Sequence, residues 1–193
     1  MKMNWDDVDE KTLRLNLWLT QGLILAAAGI GSLWLHGREG TVALFHFPKW
    51  TTLGWAGLVA AGVIAASIAM DRFLPKRWQD DGKVNEKMFG NMSTAGIFLV
   101  CAGVGAAEEW LFRGVLQTAA GNLCTSVIFT LLHTRYLRKP LLIASLFATS
   151  WLLGFLFDLE RSLWAPIFAH IGIDLVLALY LRSSMKRTKE EVS

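Results

Sequence analysis

Only two cysteines occur in this 193-residue chain, and they provide no framework for a fold. Cys101 and Cys124 lie inside apolar stretches and lack the paired spacing of a zinc site, so the sequence favours buried thiols over a disulfide or a zinc pair. No stretch combines aromatic and basic residues as nucleic-acid-binding modules do. The net charge of +3 therefore predicts no nucleic-acid partner.

Charged residues are absent over long distances. Five windows of 18 to 23 residues contain no Asp, Glu, Lys or Arg (15–37, 50–70, 88–107, 114–134 and 140–157), and a sixth, 162–181, contains Asp174 alone. A helix needs about 20 apolar residues to cross the hydrocarbon layer, and a charge at its centre costs several kcal/mol. The windows predict an all-α, multi-pass membrane protein of about six transmembrane helices, surrounded by the lipid bilayer. No small-residue cleavage site follows the first window, so we expect this helix to be retained.

Basic residues are distributed unevenly between the connections. If the six helices alternate in direction, 15 of the 19 Lys and Arg residues fall on one side, together with both termini. By the positive-inside rule, this asymmetry predicts that both termini are cytoplasmic. The long polar connection 71–90 divides the chain into a front part, 1–90, with two helices, a core of four helices, 91–182, and a basic tail, 183–193. The front helices have no ionisable residue in their interior, so we expect the chemistry in the core.

Three ionisable residues, Glu108, Glu109 and Arg113, directly follow the third apolar window. Ionisable residues in a membrane segment are functional candidates, because neutral residues are less costly there. On a helix, Glu109 and Arg113 lie on one face in the favourable order for an ion pair, whereas Glu108 points about 100° away. We expect Glu109 to pair with Arg113 and Glu108 to serve another task. The alternative is that all three lie in a hydrated loop at a helix end.

Histidines occur at two further places in the core. His133 ends an apolar run and, next to Arg135, could equally lie at the headgroup level. His170 and Asp174 lie one helical turn apart in an apolar helix, where a structural hydrogen bond between them is the alternative to catalysis. We expect Glu108, His133 and His170 to face one polar cavity, because each would be costly against lipid. A glutamate and two imidazoles can supply the base, the water-orienting group and the oxyanion donor of a hydrolase.

Three motifs occur in order: Glu-Glu-x-x-x-Arg from Glu108, Phe-x-x-x-His from Phe129, and His-x-x-x-Asp from His170 on a helix that opens with Ser-Leu-Trp-x-Pro. Together they resemble the CPBP family of intramembrane proteases, which includes type II CAAX prenyl endopeptidases and bacterial proteins linked to bacteriocin processing or self-immunity. The resemblance covers about residues 96–181. It implies an intramembrane peptidase whose peptide or protein substrate enters from the membrane or its interface.

The resemblance also implies a role for each motif residue. Glu108 would be the general base for a water that His133 helps to hold, while His170 and Asp174 would polarise the scissile carbonyl and stabilise the oxyanion. Three residues would support the site: Glu109, Arg113 and Phe129. Asp174 departs from the family pattern, in which many relatives have Asn. An ionised aspartate donates no hydrogen bond, so Asp174 either is protonated in a buried setting or orients His170.

A metal site is the main rival to this mechanism. Two histidines and two carboxylates are ligands that zinc or iron accepts, here Glu108, His133, His170 and Asp174. No His-Glu-x-x-His helix is present, and Glu108 can activate water without a metal. We therefore expect catalysis without a cofactor and keep zinc as the alternative.

Two other functions use the same residues differently. A non-catalytic scaffold or immunity protein would use them only to join helices, at about 1 kcal/mol per hydrogen bond. A proton-coupled transporter is disfavoured, since the sequence shows no broken-helix repeat in two halves. No motif indicates the particular substrate, a need for prenylation or an oligomeric state.

One geometric difficulty constrains the core. If 88–107 alone crosses the membrane, Glu108 emerges at the face opposite to the one that His133 reaches, and the two cannot meet. We therefore expect one long tilted helix, 91–119, that holds Glu108 in its interior and ends at a turn formed by Gly121 and Asn122.

Overall fold

The computed structural model describes residues 9–75, 84–136 and 139–192, and every regular element among them is helical. The elements are α1 (Glu10–Ala43), α2 (Trp50–Phe73), α3 (Val84–Phe89), α4 (Thr94–Glu109), a π-helical segment (Trp110–Gln117), α5 (Thr118–Leu132), a 3-10 turn (Thr134–Tyr136), α6 (Pro140–Glu160) and α7 (Trp164–Val192). The predicted all-α fold is thereby confirmed. Of the basic residues counted for the orientation, five lie outside the described residues: Lys2, Lys76, Arg77, Lys83 and Arg138.

Within the described residues, five helical stretches are long and apolar enough to cross a membrane, one fewer than the six predicted. They are Glu10–Ala43, Trp50–Phe73, Thr94–Leu132, Pro140–Glu160 and Trp164–Met185. This agrees with the predicted bundle of about six transmembrane helices, with one difference: the third and fourth windows join into one 39-residue helical stretch. Glu108, Glu109 and Arg113, which separate these windows in the sequence, are helical and do not form a hydrated loop.

The long stretch reverses direction at Gly121. This residue has φ 79° and ψ 165°, a combination that essentially only glycine adopts. Residues 122–132 then run back along the π-helical segment, where the rings of Phe112 and Phe129 meet edge to face with centroids 4.7 Å apart. Their rise is only about 16 Å, so this returning helix reaches the middle of the bundle and does not cross it. The predicted turn is confirmed, and the helix before it begins at Thr94 rather than at residue 91.

Both ends of the described chain lie at the same end of the bundle. Arg14, near the start of α1, donates to the carbonyl of Met88, which lies just before α4. Arg182, near the end of α7, donates to the carbonyl of Met92 in the same connection. The two termini are therefore close in depth, and their cytoplasmic location stays a prediction.

The Ser-Leu-Trp-x-Pro segment holds the start of α7 at the opposite end of the bundle. The hydroxyl of Ser162 donates to the carbonyl of His46 at 2.7 Å, and the indole of Trp164 donates to the carbonyl of Phe45 at 2.8 Å. These two bonds bind the start of α7 to the connection between α1 and α2. They fix where α7 begins, and therefore the depth of His170 two turns further along.

Helices α4 and α7 approach each other closely at Gly105. A β-carbon on Gly105 would lie 2.9 Å from Cγ1 of Ile171 and 3.7 Å from Cβ of His170. Any larger residue would push the two helices apart, because the first distance is shorter than real side chains tolerate. Glu108 and Glu109 follow one turn later on α4, so this close approach brings them beside α7.

Candidate active site

A buried ion pair lies where α4 meets the π-helical segment. Nε of Arg113 is 3.0 Å from Oε2 of Glu109, and both side chains are fully buried. The other guanidinium nitrogens donate to Oε1 of Gln117 at 3.2 Å and to Oγ of Ser150 at 3.0 Å. Buried charges require a partner and satisfied hydrogen bonds, and these contacts supply both. The predicted pairing of Glu109 with Arg113 is confirmed, and the network also binds α6.

His170 connects this ion pair to α7. Its Nδ1 lies 2.7 Å from Oε1 of Glu109, a contact that the motif spacing did not predict. Its Nε2 lies 3.4 Å from Oδ2 of Asp174. Each ring nitrogen therefore faces a carboxylate oxygen. Hydrogen bonds at both positions need a proton on each nitrogen, or one on Asp174.

Asp174 is less enclosed than the sequence suggested. Its side chain is 37% exposed in the bundle, against 10% for the side chain of His170. The bundle therefore encloses this carboxylate only in part, and the protonation of Asp174 stays a prediction. Its place beside Nε2 favours the other expectation, in which Asp174 orients His170.

Glu108 has partners different from those of its neighbour Glu109. The side chain is partly buried, and its Oε1 accepts a hydrogen bond from Nε2 of Gln21 on α1 at 3.2 Å. It also lies within electrostatic range of His133, His170 and Asp174. Groups from α1, α4, α5 and α7 therefore approach one another at this depth of the bundle.

The returning helix carries His133 to the level of Glu108. Glu108 lies 13 residues before Gly121 and His133 lies 12 residues after it, so the two are opposite each other in the hairpin. Nδ1 of His133 is 2.8 Å from the carbonyl oxygen of Phe129, and the ring centroids of these residues are 4.6 Å apart. A carbonyl oxygen only accepts, so Nδ1 carries the proton and Nε2 of the neutral ring is an acceptor. The Phe-x-x-x-His motif thus sets the tautomer and the orientation of His133.

The candidate metal ligands are not arranged around a shared ion. Among the residues that the structure describes, no three His, Cys, Asp or Glu side chains are grouped so that they could hold a metal. Both nitrogens of His170 face carboxylates, and Nδ1 of His133 faces a backbone carbonyl. Catalysis without a cofactor stays a prediction, with zinc on Glu108, His133, His170 and Asp174 as its alternative.

Several neutral residues of the site were missed by a search for ionisable side chains. Gln21, Gln117 and Ser150 are buried and bond directly to Glu108 or Arg113. The expectation that the front helices take no part in the site is corrected by Gln21, which comes from α1. The two glutamines lie inside apolar windows, and an amide in lipid is costly without a partner. That cost could have identified both glutamines as candidate site residues from the sequence.

The fold and this polar centre define an α-helical membrane protein with ionisable side chains gathered inside its bundle. Residues 90–176 match the family described as type II CAAX prenyl endopeptidase Rce1-like. The chain is also 35% identical over 175 residues to the uncharacterized protein YpbD of Bacillus subtilis (strain 168), which covers 90% of this chain and 93% of that protein. No solved structure matches the chain.

The chain therefore belongs to the Rce1-like family of type II CAAX prenyl endopeptidases, as its motifs indicated. The matched residues contain all the positions that the motifs singled out, from Glu108 to Asp174. Membership implies a protease of the CAAX type that acts within the membrane.

Proposed function

We propose that this protein is an intramembrane endopeptidase in which Glu108 activates a water molecule for attack on a peptide bond. The convergence of four groups supports the proposal, since Glu108 on α4 lies within electrostatic range of His133, His170 and Asp174. Membership of a family of endopeptidases supports the reaction class.

The attacking water would be held between Glu108 and His133. The unprotonated Nε2 of His133 would accept one O–H of the water, and the carboxylate of Glu108 would accept the other. Glu108 then removes its proton while a lone pair of the water oxygen adds to the scissile carbonyl carbon. The hydrogen bond from His133 to Phe129 supports this step, because in the neutral ring it places the proton on Nδ1 and leaves Nε2 as an acceptor.

His170 would stabilise the oxyanion through its Nε2–H. The 3.4 Å separation from Asp174 is longer than a strong charge-assisted hydrogen bond, so this N–H can turn to a developing negative charge. Glu109, fixed by Arg113, holds the opposite nitrogen of the ring at 2.7 Å. Glu108 finally returns its proton to the amine nitrogen as the C–N bond breaks, which releases a carboxylic acid and an amine.

The substrate class follows from the family rather than from the site. We propose a peptide or protein segment that reaches the site from the membrane or its interface, of the CAAX type or related to bacteriocins. A prenylated and an unprenylated version of one peptide test whether the substrate must carry a prenyl group. An enzyme that requires the prenyl group cleaves only the prenylated peptide.

The test compares the wild-type protein, Glu108→Gln and His170→Ala, each purified and reconstituted, on quenched peptides with and without a prenyl group. We expect each variant to lose at least about 100-fold in kcat while it remains folded, since a general base and an oxyanion donor each contribute about that much. Glu39→Gln, which neutralises an exposed acid, is the matched control and keeps wild-type turnover.

Equal turnover by the wild type and Glu108→Gln would remove Glu108 as the base. A wild-type protein that cleaves none of the peptides, and whose stability falls when these residues are replaced, would favour the non-catalytic scaffold. Folding of each variant is followed by its thermal unfolding in detergent.

A further inference from the structure

Gln21 on α1 contacts the site from outside the four-helix core. The residue is only 6% exposed, and its Nε2 lies 3.2 Å from Oε1 of Glu108. Its own Oε1 is buried and has no hydrogen-bond partner among the described residues. A buried acceptor without a partner costs about 1–3 kcal/mol. An unsatisfied atom beside the proposed base therefore needs a physical reason.

A glutamine amide matches a carboxyl group in both of its protonation states. An ionised carboxylate only accepts hydrogen bonds, so it requires the N–H side of the amide. A protonated carboxyl group has an O–H that must donate, and the amide oxygen accepts it once the amide turns over about its last side-chain bond. The atom that is unsatisfied beside an ionised Glu108 is thus the atom that a protonated Glu108 requires.

We propose that Gln21 is a positioning residue of the active site that serves Glu108 in both its ionised and its protonated form. This inference rests on the proposed function, in which Glu108 gains a proton from water and later gives it to the leaving amine. Nε2 of Gln21 orients the carboxylate for the first transfer. Oε1 accepts from the carboxyl group in the intermediate and releases it for the second transfer.

Other titratable groups on α4, α5 and α7 also act on Glu108. His133 acts from α5, while His170 and Asp174 act from α7. Glu109 is the neighbouring acid, and its charge is balanced by Arg113 at 3.0 Å. A change at Gln21 leaves all of these groups in place. Its effect on the pH dependence can therefore be assigned to the lost amide.

The experiment measures kcat and KM against pH for Gln21→Met on a peptide that the wild type cleaves. Methionine keeps the length and volume of glutamine and removes both hydrogen-bonding atoms. We expect kcat to fall about 10-fold or more with little change in KM, since a hydrogen bond to a charged group is lost. The acid limb of the pH profile should move about one unit towards higher pH, because the amide binds the ionised carboxylate more strongly than the neutral carboxyl group and its loss therefore costs the ionised form more.

Ser32→Ala is the matched control on the same helix. Ser32 is fully buried and bonded to Thr41 at 3.2 Å, and it lies about 16 Å further along α1 than Gln21. This variant loses a buried hydrogen bond without touching Glu108, so its pH profile should coincide with that of the wild type. Thermal unfolding of each protein separates a loss of stability from a loss of turnover.

A Gln21→Met protein with the wild-type kcat and acid limb overturns the inference, whatever its stability. If Gln21→Met does not fold, Gln21→Glu replaces it. This variant keeps the length of the side chain and places a second carboxylate beside Glu108, so the acid limb should again move to higher pH. If the acid limb of Gln21→Glu lies at the wild-type pH, that result also contradicts the inference.

The failure of this inference can be distinguished from the failure of the proposed function. If the wild type cleaves no peptide, the proposed function fails first. If the wild type cleaves, Glu108→Gln is inactive and Gln21→Met behaves like Ser32→Ala, only the role of Gln21 is wrong.

Discussion

Nδ1 of His170 lies 2.7 Å from the carboxylate of Glu109, and the same carboxylate lies 3.0 Å from Nε of Arg113. The adjacent acid, Glu108, is bound instead by Gln21 from another helix. Neighbouring residues on a helix differ in direction by about 100°, so the two glutamates belong to separate networks. The carboxylate of Glu109 holds the imidazole, and that of Glu108 is separate from this network, as the proposed proton transfer requires.

The ion pair between Glu109 and Arg113 is expected to stabilise the bundle strongly. Arg113→Met should lower the free energy of unfolding by about 3–5 kcal/mol, because the fully buried Glu109 loses its guanidinium partner and keeps only the imidazole of His170. The double variant Arg113→Met with Glu109→Gln should recover much of this loss, since the uncompensated charge is gone. Unfolding in detergent of the wild type, both single variants and the double variant gives the coupling energy. Additive losses would show that the two residues do not act as a pair.

The turn at Gly121 should control both stability and catalysis. We expect Gly121→Ala to cost about 1–3 kcal/mol, because alanine does not adopt this backbone conformation without strain. Turnover should fall further than stability explains, since the turn carries His133 to Glu108. Gly62→Ala is the control, on a helical and open position of α2 where nothing lies within 4 Å of the added methyl group. Wild-type turnover in a destabilised Gly121→Ala protein would show that His133 does not depend on the turn.

Turnover should survive replacement of Asp174 by an amide side chain but not by an alkyl side chain. Asp174→Asn keeps an oxygen that can accept from Nε2 of His170, so we expect it to retain at least about a tenth of the wild-type kcat. Asp174→Leu removes that acceptor and should lose about 100-fold, because the ring is no longer held for the oxyanion. Single-turnover rates on one peptide provide the comparison. If Asp174→Asn is as inactive as Asp174→Leu, the charge of Asp174 is required and its role is more than orientation.

Catalysis should not depend on a divalent metal. The purified protein is treated with a chelator, its zinc content is measured, and its turnover is compared with that of the untreated sample. We expect unchanged kcat, since no three His, Cys, Asp or Glu side chains among the described residues are grouped around an ion and Nε2 of His170 faces Asp174. Loss of activity that zinc restores in proportion to the bound metal would favour the metal-site alternative.

Much of the core could be predicted from local sequence. The spacing of Glu109 and Arg113 sets their ion pair through the helical repeat alone, and Phe129 reaches His133 for the same reason. Gly121 indicated the turn because few residues accept its conformation. The charged stretch between the third and fourth windows is helical, which local sequence did not decide, because such a stretch resembles a loop when the partners of its charges are unknown.

The sequence by itself determined that this chain forms membrane helices and which residues carry its motifs, because hydrocarbon thickness and helical periodicity act on neighbouring residues. The contacts of Gln21 with Glu108 and of Glu109 with His170 join residues 87 and 61 positions apart and become visible only in the folded bundle. Such contacts depend on how each helix is rotated and how closely two helices approach. At Gly105 that approach is set by the fit of α4 against Ile171 on α7, a property of two surfaces that neither helix specifies alone.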